Sequence, residues 1–323
     1  MLVSIVTVYF NREDKVINSI RSLLNQTYQN IEVIAIDDGS TDDTLKVLNS
    51  IKDPRLKVFH HKNKGFTKSI ISALNLAKGD IIAIHGSGDI SHINRIEKQL
   101  NLLLKNDDVG VVGCFVEKIN RTTSEKEIYK PKLPNNQSDL LKFLKVNNPF
   151  THGEVMFKKV IYSRIGGYRE FFKYAQDRDL WLRMSLETKF AIVPEILYTR
   201  FNLQDGVSAS PDKVILQKYF NEVTRQCIEL KLKNKKDLIE NHGIYAPFFM
   251  NRSKKLSNDL ARRAAAYFVS DELNNAKEFI RLSRVEKKTV TNLILLIIIK
   301  ISVKSLIIKK LSKSFFNIVK KLK

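Results

Sequence analysis

Three short polar stretches punctuate the first ninety residues, and each closes an apolar run. Tyr9-Phe10-Asn11-Arg12 sets an aromatic ring beside an amide and a guanidinium, Asp37-Asp38-Gly39-Ser40 sets two carboxylates side by side, and Gly86-Ser87-Gly88-Asp89 places one carboxylate behind two glycines. These are suitable parts for a nucleotide. A ring stacks on a base, a carboxylate accepts from base N–H or ribose hydroxyls, and glycines let a diphosphate and its cation approach the backbone. Each stretch also has an ordinary reading: Asp37-Asp38-Gly39-Ser40 serves equally as a strand-to-helix turn with a cap, and Phe10 as a core aromatic. Their order along the chain gives them weight, because ligands of open α/β sheets sit at the carboxyl ends of the strands.

The intervening residues predict the elements that would hold them. Runs rich in β-branched residues at Leu2–Val8, Ile31–Ile36, Leu56–His60, Asp80–Ile84 and Val109–Phe115 read as strands. Asp14–Leu24 carries Val16, Ile17, Ile20, Leu23 and Leu24 on one helical face, and Asp42–Ile51, Thr67–Ala77 and Ile93–Leu104 are the next helices. Ser40 or Thr41 is the expected cap of the second helix, with Asp42 and Asp43 in its first turn, where the helix dipole favours acids. Residues 1–115 thus predict an α/β domain on a largely parallel sheet. The pattern weakens over 116–150, around Pro131, Pro134 and Pro149, and resumes at Glu154–Phe157 and Gln176–Glu187. Beyond Asp212 the chain reads as helices, at Lys213–Lys231, Ser253–Val269 and Glu272–Ser283, so a domain boundary is expected near residue 210.

With these elements in place, the first 210 residues resemble the family 2 glycosyltransferases. The likeness rests on Val3-Ser-Ile-Val-Thr-Val-Tyr-Phe-Asn-Arg12, on Leu24 to Thr44, and above all on Asp37-Asp38-Gly39-Ser40-Thr41-Asp42. It continues through Asn63-Lys-Gly-Phe66 and Ala77-Lys-Gly79 and returns at Gly166-Gly-Tyr-Arg-Glu170 and Gln176-Asp-Arg-Asp-Leu-Trp-Leu-Arg183. The resemblance implies the GT-A fold, a Rossmann-like α/β domain with a nucleotide-binding half at 1–115 and an acceptor half at 116–210. Residues 211–286 are then a mostly α-helical C-terminal extension and 287–323 a basic amphipathic tail. The implied activity is an inverting transfer of a sugar from a nucleotide diphosphate, most naturally UDP, to a hydroxyl of a saccharide or lipid-linked acceptor.

Residue roles follow from the same resemblance. Phe10 falls where the family stacks a ring on the base, Val8 where backbone contacts it, and Asp38 where a carboxylate binds it. Asp89 matches the last carboxylate of the family's Asp-x-Asp-Asp segment, which binds metal and diphosphate, and Asp177 matches the second residue of its Glu-Asp pair, the general base. Gly86 and Gly88 stand where that segment has two further acids, so Mg²⁺ or Mn²⁺ would rely on Asp89, the diphosphate and water. A metal-free site with Lys68 or Arg95 as counter-charge is the alternative. His152, Gln176 and Arg200 are the expected acceptor-side residues, and Arg200 and Asn202, near the Gly206-Val-Ser208 turn, are also placed to close over the diphosphate.

Other polar residues carry ordinary readings. His60 and His61 close a strand with no partner at metal spacing, and His85 is expected to pack or bond to backbone. Trp181 reads as core, and Asp177 reads equally as a helix-start acid beside Asp179 and Arg183. Cys114 and Cys227 have no metal or redox spacing and are expected as reduced core thiols.

Lys and Arg number 55 against 34 Asp and Glu in 323 residues, a formal charge of +21. No acid follows Glu286, whereas Lys287, Lys288, Lys300, Lys304, Lys309, Lys310, Lys313, Lys320, Lys321 and Lys323 all do. A nucleic-acid protein spreads its basic residues over a folded face, so no nucleic-acid partner is expected. The apolar run Leu293–Ile299 is too short to span a bilayer. Beyond it, Val303, Ile307, Leu311, Phe315, Ile318 and Leu322 recur at helical spacing among lysines, which suits an anionic membrane surface. The first residues lack a basic n-region and a small-residue cleavage site. A cytoplasmic protein, peripheral on the inner face of the plasma membrane, is therefore expected. Two alternatives remain: a catalytically degenerate nucleotide-binding protein of the same fold, and a basic membrane or nucleic-acid interaction protein.

Overall fold

Val3–Tyr9 (β1) is buried at every residue, which requires cover on both faces and a partner strand on each edge. Ile31–Asp37 (β2) supplies one partner, with Leu56–His60 (β3) outside it, and all three run parallel. Ile81–Gly86 (β4) lies parallel on the other edge of β1. Val16–Leu24 (α1), Thr44–Ser50 (α2) and Phe66–Leu76 (α3) are the crossovers between successive strands. The structure is a computed structural model that describes residues 1–134, 136–202 and 210–302.

Ile90–Ser91 (β5), Arg95–Lys105 (α4), Val109–Asn120 (β6), Lys126–Tyr129 (β7), Gln137–Leu144 (α5), Met156–Lys158 (β8), Lys159–Arg164 (α6), Gln176–Met184 (α7) and Lys189–Asn202 (β9) follow. The strand order is β3-β2-β1-β4-β8-β6-β9-β5, with β7 on β6. The expected largely parallel sheet is therefore mixed. β6 does not join β4, because the three residues of β8 insert antiparallel between them, pairing Met156 and Phe157 with Ala83 and Ile82 on one side and with Val112 and Val111 on the other. Val16, Ile20 and Leu23 of α1 and Leu100 and Leu103 of α4 are buried in one apolar core with residues of β1, β2 and β6. Ser40 and Thr41 do not cap α2. That helix starts at Thr44, and Asp42, outside it, accepts from the Thr44 backbone N–H at 3.0 Å.

Clustering of contacts divides the chain into two units, Met1–Gln204 and Asp205–Lys323. In the second, Pro211–Lys231 (α8), Leu238–His242 (α9), a 3₁₀ turn at Gly243–Phe249, Lys254–Val269 (α10), Leu273–Glu286 (α11) and Val290–Ser302 (α12) follow in order. Leu260, Ala264, Phe268, Phe279, Ile280, Leu295 and Ile299 form its core. Buried Asn292 ties α12 down, its amide nitrogen donating to Ser257 Oγ, Ser283 Oγ and the Lys287 carbonyl. The expected helical periodicity from Val303 to Leu322, and the Gly206-Val-Ser208 turn, lie outside the described residues. Among the described residues no helix is long and apolar enough to cross a membrane. Cys114 and Cys227 are both buried.

Candidate active site

The parallel strands end together, and their carboxyl ends gather the first set of polar residues. Val8 is buried in β1, and Phe10, one residue beyond the strand, is 43% exposed and available to a flat ligand. Asp38 follows β2 and is almost fully buried. Its Oδ1 accepts from the Lys64 backbone N–H at 2.9 Å and its Oδ2 from that of Gly65 at 3.1 Å. His61 Nδ1 lies 3.4 Å from the same carboxylate, and His60 Nδ1 lies 2.7 Å from Asp37 Oδ2. The two histidines thus brace the acidic pair. Lys68 projects from the first turn of α3, with its ammonium 3.9 Å from Glu170 and half of its side chain in solvent.

Asp89 sits in the turn between β4 and β5. Its Oδ2 accepts from the Tyr198 hydroxyl at 2.7 Å and its Oδ1 from the Phe201 backbone N–H at 3.0 Å, both on β9. The Tyr198 hydroxyl in turn accepts from the Gly86 N–H at 2.8 Å. A Cβ on Gly86 would lie 2.4 Å from Asp89 Oδ2, and Gly88 has φ +89°, a conformation that side chains resist. Gly86 therefore makes room for the carboxylate to turn toward β9. Burial raises the Asp89 carboxyl to about 6, against the lowering by the Phe201 N–H, the Tyr198 hydroxyl and the charge of Arg200.

Asp177 stands in the first turn of α7, half-buried. Asn148 Nδ2 donates to its Oδ2 at 2.7 Å, and the Arg178 N–H donates to its Oδ1 at 2.8 Å. α7 itself is anchored from below. Asp179, buried, accepts from Arg169 and, at 2.7 Å, from Arg183, while Arg183 also donates to the carbonyls of Ile165 and Gly167 at 2.8 and 2.6 Å. This network explains why Gly166-Gly-Tyr-Arg and Asp-Arg-Asp-Leu-Trp-Leu-Arg go together. Trp181 is core.

His152 joins the two clusters. Its Nε2 pairs with the Tyr168 hydroxyl at 2.6 Å and its ring meets Phe66 edge-on. Burial holds its imidazole below the ordinary value while Asp177 pulls it up, and the positive charge of Arg200 adds to the lowering. Arg200 acts electrostatically on Asp89, His152 and buried Glu154 alike, so the three groups share one field. Among the described residues neither the Gln176 nor the Arg200 side chain has a hydrogen-bond partner.

A family model described as glycosyl transferase family 2 matches residues 4–165. An uncharacterized glycosyltransferase of Haemophilus influenzae is 32% identical over 228 residues, which is 65% of this chain and 68% of that one. The chain belongs to glycosyl transferase family 2. Among the relatives of this family 2 transferase is the UDP-Gal:alpha-D-GlcNAc-diphosphoundecaprenol beta-1,3-galactosyltransferase of Escherichia coli, 34% identical over 172 residues, 51% of this chain and 60% of that one. Solved structures share its GT-A fold at low identity. Staphylococcus aureus TarS 1-349 in complex with UDP-GlcNAc gives a TM-score of 0.60 at 16% identity, over 94% of this chain and 92% of that one. The mannosyltransferase PcManGT from Pyrobaculum calidifontis, in complex with GDP-Man and Mn²⁺, gives 0.53 at 14% identity, over 98% and 86%.

Against this family pattern the acidic segment is reduced, and among the described residues no group of three His, Cys, Asp or Glu side chains could hold a metal ion. Each Asp89 oxygen accepts one hydrogen bond and keeps a further lone pair. That donor set fits a cation carried in by a diphosphate, not a resident one. Arg95 cannot act as the counter-charge of a metal-free site. It is fully buried and donates to the Gly153 and Ile84 carbonyls at 3.0 Å each. His85 packs as expected, with Nε2 3.0 Å from Ser19 Oγ and 3.1 Å from the Asp89 carbonyl. Sequence reasoning missed Tyr198, Phe201 and Asn148. Tyr198 and Phe201 lie on a strand that the sequence does not announce, and Asn148 lies in a loop.

Proposed function

We propose that this family 2 transferase moves a sugar from a UDP-linked donor to a hydroxyl of a saccharide or lipid-linked acceptor, with inversion at the anomeric carbon. The observation that carries the reading is Asp177, a half-buried carboxylate held by Asn148 and acting on His152, which feels the charge of Arg200 as Asp89 does. Phe10 stacks on the base, Val8 contacts it through backbone, and Asp38 receives its N–H while shaping the Lys64–Gly65 loop. Asp89 and Lys68 attend the diphosphate. Asp89 would hold Mg²⁺ or Mn²⁺ arriving with the donor, and such an ion neutralises charge on the leaving group. Asp177 takes the proton of the acceptor hydroxyl, whose oxygen bonds to the anomeric carbon as the bond from that carbon to the diphosphate oxygen breaks. His152, Gln176 and Arg200 border the acceptor. The Escherichia coli relative, named for a UDP-galactose donor and a diphosphoundecaprenol acceptor, supports both halves of this assignment. In the same reading, residues 1–210 carry the chemistry, 211–286 are an extension, and 287–323 dock the protein peripherally on the cytoplasmic face of the plasma membrane.

Calorimetric titration of UDP into wild type and Asp89→Ala, with and without Mg²⁺ or Mn²⁺, tests the donor side. Metal-enhanced binding lost in the variant is the expected result, and absence of UDP binding would overturn it. The glycines at 86 and 88 favour a second reading, a nucleotide-binding protein without turnover. That reading predicts UDP binding with no sugar released from any UDP-sugar in the presence of saccharide or lipid-linked acceptors.

A further inference from the structure

The helical unit contains a cavity of about 630 Å³ lined by two kinds of side chain, cationic and apolar. Arg252, Lys277, Arg281, Arg284, Lys288 and Lys300 line it, with no acidic residue among the lining side chains. Ile280, Val285, Leu296 and Ile299 provide its apolar surface. Arg281 is paired with Glu278 at 2.7 Å, whereas the other five cations have no ion-pair partner among the described residues. Glu286, between Arg284 and Lys288 in sequence, is buried and turned to the Ser253 backbone N–H. Beside the cavity, α12 presents Val290, Leu293, Ile294, Ile297 and Ile301 to solvent, every one more than two-fifths exposed. These recur at helical spacing on the face opposite buried Leu295 and Ile299.

Five unpaired cations around an apolar hollow are costly for a surface that meets only water, because like charges repel at close range. An occupant that carries a phosphate and hydrocarbon together satisfies both parts. The volume lies within the range of small-ligand sites. We propose that this cavity binds the headgroup and upper acyl chain of an anionic bilayer phospholipid, with the outer face of α12 against neighbouring chains. The proposal deepens the membrane-docking reading and is independent of sugar transfer. It gives docking a specific site in the folded helices, apart from the lysines that follow Ser302.

The test uses the full chain and vesicles of phosphatidylglycerol and phosphatidylcholine, with all-phosphatidylcholine vesicles for comparison. The protein's one tryptophan, Trp181, is buried in the other unit, so Leu296→Trp adds a reporter in the cavity. Brominated phosphatidylglycerol is expected to quench that reporter, and the triple change Lys277→Gln, Arg284→Gln, Lys288→Gln to abolish the quenching. Each basic residue near an anionic surface changes partitioning about fivefold. The triple variant should therefore bind anionic vesicles about 100-fold more weakly. Changing exposed Lys233, Lys235 and Lys236 to Gln removes the same charge elsewhere in the unit and should cost far less. A thermal melt confirms that each variant is folded. Equal quenching in reporter and reporter-plus-triple proteins, or equal weakening by the two triple changes, overturns the cavity site while leaving membrane docking intact. Failure of wild type to bind anionic vesicles overturns both, and UDP binding is unchanged in every case.

Discussion

Asp177 and Asp89 are both carboxylates, and their surroundings assign them different work. Asp177 is half-buried with one oxygen fixed by Asn148, a geometry that keeps it aimed. Asp177→Asn should lower kcat about 10²- to 10⁴-fold, the range for a lost general base, with UDP affinity within twofold of wild type. An unchanged kcat in a sugar-transfer assay would remove Asp177 from the mechanism. Asn148→Ala should give a smaller fall, about tenfold, because the carboxylate remains but is held only by the Arg178 N–H. Asp89 differs because burial raises its carboxyl to about 6. A folded-state value above the unfolded one means that the native state holds the extra proton. The stability contributed by Asp89 is thus present below about pH 4 and lost as pH rises through about 6. Denaturant titrations of wild type and Asp89→Asn at pH 4, 5, 6 and 7 should diverge in that sense, with the variant relatively more stable at pH 7. The placement of Phe10, Asp38, Asp89 and Asp177 at element ends was legible because each closes or opens an element in a recognisable run. Tyr198 and Asn148 were not, since a hydrogen bond between residues 109 or 29 positions apart leaves no mark in a local pattern.

At the scale of elements, the legible parts were those with a strong period. β1 to β4 and α1 to α4 appear where apolar spacing puts them, with ends shifted by a few residues. β9 shows why the rest was hidden. Val193 pairs with Cys114 and Ile196 with Phe115, so Pro194 and Glu195 form a bulge in the middle of a 14-residue strand. Proline at a bulge donates no ladder bond and needs none, yet it reads as a strand breaker. β8 was expected at Glu154–Phe157, but with only three residues it carries no mark of its antiparallel insertion, which makes the sheet mixed. α7 carries the strongest prediction at this scale. Its position depends on Asp179 between two guanidiniums, all three side chains at least 85% buried. Removing one partner of such a group strands the others. Asp179→Ala should cost about 3–5 kcal/mol in denaturant unfolding and displace Asp177 with it. A loss below about 1 kcal/mol would mean that α7 is held by apolar packing alone.

Along the whole molecule, much of the excess positive charge lies in two places. One is the lining of the helical cavity. The other begins after Ser302, where Lys304, Lys309, Lys310, Lys313, Lys320, Lys321 and Lys323 occur with no acid among them. A deletion from residue 287 would not isolate the second. It would also remove Leu295 and Ile299, both buried in the core of the helical unit, and Asn292, which holds Ser257 and Ser283. Loss of vesicle binding in that protein would report unfolding as readily as loss of a docking segment. Truncation after Ser302 leaves the core residues in place and subtracts seven lysines. At about fivefold per lysine near an anionic surface, partitioning onto phosphatidylglycerol vesicles should fall by more than about 100-fold, and more steeply at low salt than at high. Cosedimentation at two ionic strengths measures this, with the melting temperature as a check on folding. UDP affinity and turnover of a water-soluble saccharide acceptor should be unchanged, while turnover of a lipid-linked acceptor in anionic vesicles should fall with binding. A truncated protein that partitions like wild type would place docking wholly in the folded helices, and equal loss on both acceptors would tie the segment to the chemistry instead of the membrane.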